Sequence, residues 1–142
     1  MKSLKILSQA CGYSGRKAAS LLAHLNSIRI PWDVALAQYE KETLPRYIGD
    51  TEHAVANTPG LGPDSLGALV SLIYNRGTPF RDPDPRFQEM RDLSTHMQQS
   101  EFHSVPKDIR NMERLWTGQP SFRGLVLRRE AEAVLFELGL SG

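Results

Sequence analysis

Apolar side chains recur at three- and four-residue intervals along most of this chain, and glycine, proline and asparagine cut the pattern into segments. Ser3 to Cys11 reads as a short helix that stops at Gly12. Ser14 is placed to cap a second helix carrying Ala18, Leu21, Leu22 and Leu25, ending near Asn26. Pro31 suits the first turn of a third, "PWDVALAQYEKE", where its missing N–H costs nothing. Thr43 and Pro45 open a fourth, through Tyr47, Ile48 and Val55 towards Asn57. After the loop "NTPGLGPDS", Asp64 or Ser65 opens a helix with Leu66, Leu69, Leu72 and Ile73 on one face. "GTPFRDPDPR" is a surface loop by composition, and a helix from Phe87 to about Gln99 carries Met90, Leu93 and Met97. Ser104 and Pro106 open the next, with Ile109, Met112, Leu115 and Trp116. "TGQPSFRG" is a turn, and the last helix holds Leu125, Ala131, Val134, Leu135 and Leu138 before Gly139. No segment alternates as a strand does. The pattern predicts an all-α fold, a single compact helical domain across residues 1–142 with about seven to eight helices.

One helix ends in an unusual way. In "GALVSLIYNRGTPF", Leu69, Val70, Leu72 and Ile73 give way to Tyr74, Asn75, Arg76 and Gly77. A cation near a helix C-terminus is favoured by the helix dipole, so a plain C-cap accounts for this string. The floor of a binding cleft is the functional alternative. A second polar string in apolar context is "GLVLRREAEAVLF", where Arg128 and Arg129 fall in the first turns of the last helix, against the dipole. Charges so placed call for a partner, and Glu132, one turn on, is the nearest candidate.

Composition narrows the function classes. Of 142 residues, 40% are hydrophobic and 23% charged, as in a globular protein. Seventeen basic and 16 acidic residues leave a formal charge of +1, too balanced for nucleic-acid binding driven by bulk charge. The helix–turn–helix look of "LSQACGYSGRKAASLLAHL", with Arg16, Lys17 and His24 as its readers, is equally that of a plain helical hairpin. The lone Cys11 permits no intrachain disulfide. No apolar run approaches the ~20 residues of a membrane span. "MKSLKILSQAC" lacks the apolar core of a secretory signal, which predicts a cytoplasmic product as synthesised.

Motifs for catalysis are sparse. His24, His53, His96 and His103 form no metal-ligand spacing and are expected at the surface; no metal or cofactor is indicated. Ser20, Ser65 and Ser71 lack a nucleophile elbow. Glu40 with Glu42, Asp50 with Glu52, and Glu130 with Glu132 are pairs two residues apart, which point to different sides of a helix and make no dyad alone.

The strings "ALVSLIYNRG", "MRDLSTHM", "IRNMERLW" and "GLVLRREAEAVLF" follow one another in the order and spacing of the larger helical lobe of phage-type lysozymes. The chain resembles these muramidases, similar to those of glycoside hydrolase family 24. The likeness covers residues 64–140, Gly124 to Phe136 being its most specific piece, while residues 1–57 resemble linking helices. The resemblance implies action on peptidoglycan glycan strands at the bacterial cell wall, by cleavage between N-acetylmuramic acid and N-acetylglucosamine. It implies that Tyr74, Asn75 and Arg76 line the substrate groove, with Gly77 making the tight turn. Arg128 falls where family members place an arginine that pairs with the catalytic glutamate, and the resemblance makes it a fourth candidate for contact with substrate at the groove.

That glutamate, and the aspartate and threonine of the small β-hairpin lobe, have no counterpart here: nothing matches an "E-G…Y-x-D…T-x-G-Y-G" stretch. The resemblance therefore implies a shortened form or one that has lost the lobe, weak or inactive as a hydrolase, with Arg128 left without its partner. Asp50 and Glu52 are the only substitutes offered. The alternative is a non-catalytic helical module binding cell-wall glycan or a protein partner, with self-association through the surface bared by the missing lobe.

Overall fold

The computed structural model describes residues 2–141. Every regular element among them is helical: α1 (Lys2–Ser8), α2 (Gly15–Leu25), α3 (Trp32–Gln38), α4 (Leu44–Ala54), α5 (Pro63–Arg76), α6 (Gln88–Gln98), α7 (Val105–Asn111) and α8 (Arg123–Leu140). The fold is all-α. No helix among the described residues is long and apolar enough to cross a membrane. Contacts gather into two compact units, Met1–Glu42 and Thr43–Gly142.

The first unit is a set of short helices with little interior. Positive-φ glycines at Gly12 and Gly15 turn the chain from α1 into α2. Ser14 takes the N-cap position of α2 with extended backbone, but its side chain accepts no capping bond. No residue of α2 or α3 is buried, so Arg16, Lys17 and His24 stand in solvent together with apolar Leu22, Trp32 and Val34. A π-helical turn, Tyr39–Thr43, precedes α4. Pro45 has no N–H to return to the carbonyl four residues back, and the wide turn lies just upstream of it.

The second unit holds the core. On α5, Ala68, Leu69, Leu72 and Ile73 are buried at helical spacing, as the sequence pattern predicts. They meet Met90, Leu93 and Met97 of α6, Val105 and Ile109 of α7, Met112, and Ala133 and Phe136 of α8. α5 opens with Pro63 in its first turn behind Gly62, one or two residues earlier than the Asp64 or Ser65 start expected, because proline is pre-set for that position. Asn57 adopts a left-handed conformation (φ 60°) and donates Nδ2 to the carbonyls of Met97 and Gln98 at 2.8 and 3.2 Å. These are the C-terminal carbonyls that α6 cannot satisfy itself.

α5 packs most extensively on α8, and two glycines set how near they come. Ser65 Oγ donates to the Phe136 carbonyl at 2.7 Å. A Cβ on Gly139 would lie 2.2 Å from Ser65 Oγ and 2.3 Å from Ser65 N, and one on Gly62 would lie 2.6 Å from the Gly139 carbonyl. Gly139 is thus inside α8, not its stop. We expect Gly139→Ala to lower stability by about 1–3 kcal/mol through this overlap. Gly67→Ala, whose added carbon meets Leu135 at an ordinary 4.0 Å, should raise it by about 0.5–1 kcal/mol. Urea unfolding midpoints of the two variants check both signs.

Candidate functional site

α8 begins at Arg123, two residues earlier than the string "TGQPSFRG" suggests, because the 3-10 turn Pro120–Phe122 runs straight into it. Arg128 and Arg129 therefore lie in its second turn, where the opposing dipole has weakened. Arg129 is fully buried and Glu132 is 4% exposed. Spacing of four and three residues brings both arginines over Glu132: Arg128 Nε and Arg129 Nη2 donate to its Oε1 at 3.1 and 2.9 Å.

Ser71 completes the network from α5. Its hydroxyl donates to Glu132 Oε1 at 2.6 Å, and Arg128 Nη2 donates to both the hydroxyl and the carbonyl of Ser71 at 3.1 Å. This corrects the expectation that Arg128 has lost its partner: a carboxylate one turn along its own helix holds it, and a serine across the helix interface shares it. Glu132 is the partner the spacing suggested for both arginines, and of the two only Arg128 reaches the surface.

The carboxylate does not meet every donor. Arg129 Nε lies 2.8 Å from Glu132 Oε2, close enough for Coulomb attraction, yet the alignment forms no hydrogen bond. Arg129 Nη1 has no partner at all. The Trp116 ring, 5.9 Å from the guanidinium carbon, supplies a π face in its place. Burial, with Arg128 and Arg76 nearby, pulls the Arg129 guanidinium below its ordinary value, and Glu132 opposes this.

The end of α5 divides between surface and interior. Tyr74 is 51% exposed and Asn75 is exposed, whereas Arg76 is drawn inward. Arg76 Nη2 donates to the Arg86 carbonyl at 2.8 Å, and its guanidinium lies 5.0 Å from the Phe87 ring and 5.4 Å from Trp116. Burial first, and then Arg86, depress its pKa. Gly77 takes positive φ (70°) and its N–H closes the helix on Ile73 O. Of the four groove candidates read from sequence, Tyr74, Asn75 and Arg128 reach solvent while Arg76 braces the wall behind them.

Tyr47, Arg46, Ser71 and Trp116 complete the arrangement, although the sequence marks none of them as a groove residue. Tyr47 of α4 meets Tyr74 edge to face, with ring centroids 4.8 Å apart. Arg128 stands 6.0 Å over the Tyr74 ring and Arg46 stands 5.9 Å over Tyr47. Two tyrosines flanked by two arginines thus form a half-exposed face on this unit.

The carboxylates are committed elsewhere. Asp50 lies 3.8 Å from Arg46 on the exposed face of α4, and Glu52 is exposed. Glu89 is buried in a bidentate contact with Arg114, whose Nη2 also donates to the Pro85 carbonyl at 2.6 Å. Arg110 bridges Glu130 and Glu137, which lowers the pKa of Glu137. Among the histidines, His24, His53 and His103 are exposed as expected, but His96 is not. Its Nδ1 lies 2.6 Å from Asp108 Oδ2, because Asp108 is buried at the start of α7 and α6 offers it this ring. Burial raises the Asp108 carboxyl above its ordinary value, and the bond to His96 opposes the rise. No group of three metal-ligating side chains occurs among the described residues. Comparison of the chain with protein-family models, curated proteins and solved structures returned no match.

Because Glu132 neutralises two arginines in a dry interface, Glu132→Gln should cost about 3–5 kcal/mol in urea unfolding. The same chain carrying Arg129→Met and Glu132→Leu should regain most of that loss, since the two fully buried charges go together and Arg128, which reaches solvent, can be hydrated in place of Glu132.

Proposed function

We propose that this chain is a lysozyme-like helical lobe that binds the glycan strands of peptidoglycan and hydrolyses them weakly or not at all. The observation that carries this reading is the pair of exposed Tyr74 and half-buried Tyr47, with Arg46 and Arg128 over their rings. An aromatic face accepts the apolar C–H face of a pyranose. The arginines beside it suit the acetamido oxygens, the lactyl carboxylates and the stem-peptide carboxylates of peptidoglycan. Arg128 and Arg129 share one buried carboxylate, Glu132, and Arg76 lies close enough to Arg129 to add to the field, so positive charge is left over behind this face.

The resemblance of residues 64–140 to the helical lobe of phage-type lysozymes supports the same substrate, and its groove residues Tyr74, Asn75 and Arg128 reach solvent here. Binding is favoured over cleavage by what the carboxylates do. A glycosidase needs an acid and a second carboxylate facing the scissile bond. Glu89, Asp108 and Glu132, the buried acids, are each engaged by Arg114, His96 or the paired arginines. Asp50 and Glu52 stand in open solvent.

Co-sedimentation with insoluble peptidoglycan tests the proposal. The chain should pellet with the polymer, and Tyr74→Ala should weaken retention about two- to tenfold, the worth of one aromatic contact. Mass spectrometry of the supernatant should find no fragments with reducing N-acetylmuramic acid ends. No retention, or retention untouched by Tyr74→Ala, would overturn the binding face, and abundant fragments would establish a hydrolase.

A further inference from the structure

A cavity in the same unit has a chemistry of its own. It measures about 540 Å³ and is lined by His53 and Ala54 at the end of α4, by Thr78, Phe80 and Arg81 after α5, and by Arg91, Ser94, Thr95 and Gln98 of α6. That volume is in the range of small-molecule sites, roughly 300–1,000 Å³. None of these residues belongs to the Tyr47–Tyr74 face.

The wall carries two guanidinium groups, one imidazole, three hydroxyls and one amide, and no carboxylate. Among the described residues neither Arg81 nor Arg91 forms an ion pair. The acids of the adjoining loop are turned to backbone work: Asp82 Oδ1 accepts from Asp84 N and Asp84 Oδ1 accepts from Arg86 N, each at 2.9 Å. Arg91 Nη1 donates to the carbonyls of Asp82 and Asp84, and Nη2 donates to Gln88 Oε1 at 2.8 Å, so α6 pins the loop that forms one side. The positive charge of that wall is thus fixed in place and unneutralised, while Arg81 is exposed and makes no hydrogen bond within the described chain.

We infer that this cavity binds a small sugar-like anion, a polyhydroxylated ring bearing a phosphate or carboxylate. Arg81 and Arg91 supply the charge, with bidentate donors suited to either group. Thr78, Ser94 and Gln98 offer donors and acceptors for hydroxyls, and the partly buried Phe80 ring gives the apolar face of the sugar a surface. Arg81 is the residue on which affinity turns, because Arg91 also holds the loop.

Two-dimensional amide NMR of the whole chain, titrated with glucose 6-phosphate and with glucuronate, tests this. Saturable shifts in the millimolar range, confined to residues 78–81 and 94–98, are expected from one or both, and which of them binds identifies the anionic group. Arg81→Ala, a surface change that leaves the fold intact, should weaken binding about tenfold or more, the worth of a charged hydrogen bond. Glucose without the charge should bind at least about tenfold more weakly on the same ground. The inference is overturned if neither anion saturates, if Arg81→Ala binds as tightly, or if glucose does. Inorganic phosphate binding as tightly as glucose 6-phosphate would overturn the sugar part of it. Loss of peptidoglycan retention by Tyr74→Ala leaves every one of these readings unchanged, so the two proposals fail separately.

Discussion

The carboxylate of Glu132 is the constraint on which this structure turns. It lies in the interface between the two longest helices and accepts from Arg128, Arg129 and Ser71 at a single oxygen. An arginine as completely buried as Arg129 is tolerable only with a counter-charge and a π face beside it, and Glu132 and Trp116 supply these. The alternative, an apolar residue at each site, would make an equally dry and no less stable interface. What the ions contribute instead is register. Ser71 can reach Glu132 in one alignment of α5 against α8 only, and the Gly139–Ser65 approach fixes the same alignment at the other end.

From that register the exposed face follows. Ser71 and Tyr74 are three residues apart on α5, so locking one sets the direction of the other. Arg128, tied to Ser71 and Glu132, is held over the Tyr74 ring, and Tyr47 closes the pair from α4. The proposed binding face is therefore built on helices and on side chains whose rotamers are already committed, which would reduce the entropy lost on docking a ligand. Arg76 serves the same end from within, stacked between Phe87 and Trp116 and bonded to Arg86.

Much of the fold is legible in the sequence because its signals are local. Gly77 and Asn57 take positive φ where the segments break, and the α5 stripe Leu69, Leu72 and Ile73 is buried as its spacing says. The Arg128–Glu132 and Arg129–Glu132 pairs are equally local, four and three residues apart. Where reading fails, the deciding partner is distant in sequence. The fate of Arg129 depends on Trp116, that of Arg128 on Ser71, 57 residues away, and that of Arg76 on Phe87 and Trp116. His96 looks like any helix-surface histidine until α7 presents Asp108 to it. Tyr47 carried no signal of its own beyond being an aromatic on a polar helix. The start of α8 was obscured by Gly118, Pro120 and Gly124, turn-formers that here sit around a 3-10 entry into the helix.

The central claim is that the Tyr47–Tyr74 face meets glycan directly. The most direct test is the aromatic ¹H–¹³C NMR spectrum of the chain during titration with a soluble tetrasaccharide of alternating N-acetylglucosamine and N-acetylmuramic acid. Saturable shifts of the Tyr47 and Tyr74 ring signals are expected, while the buried Phe136 ring stays unmoved. Silent tyrosine rings, with the sugar either unbound or perturbing another surface, would contradict it.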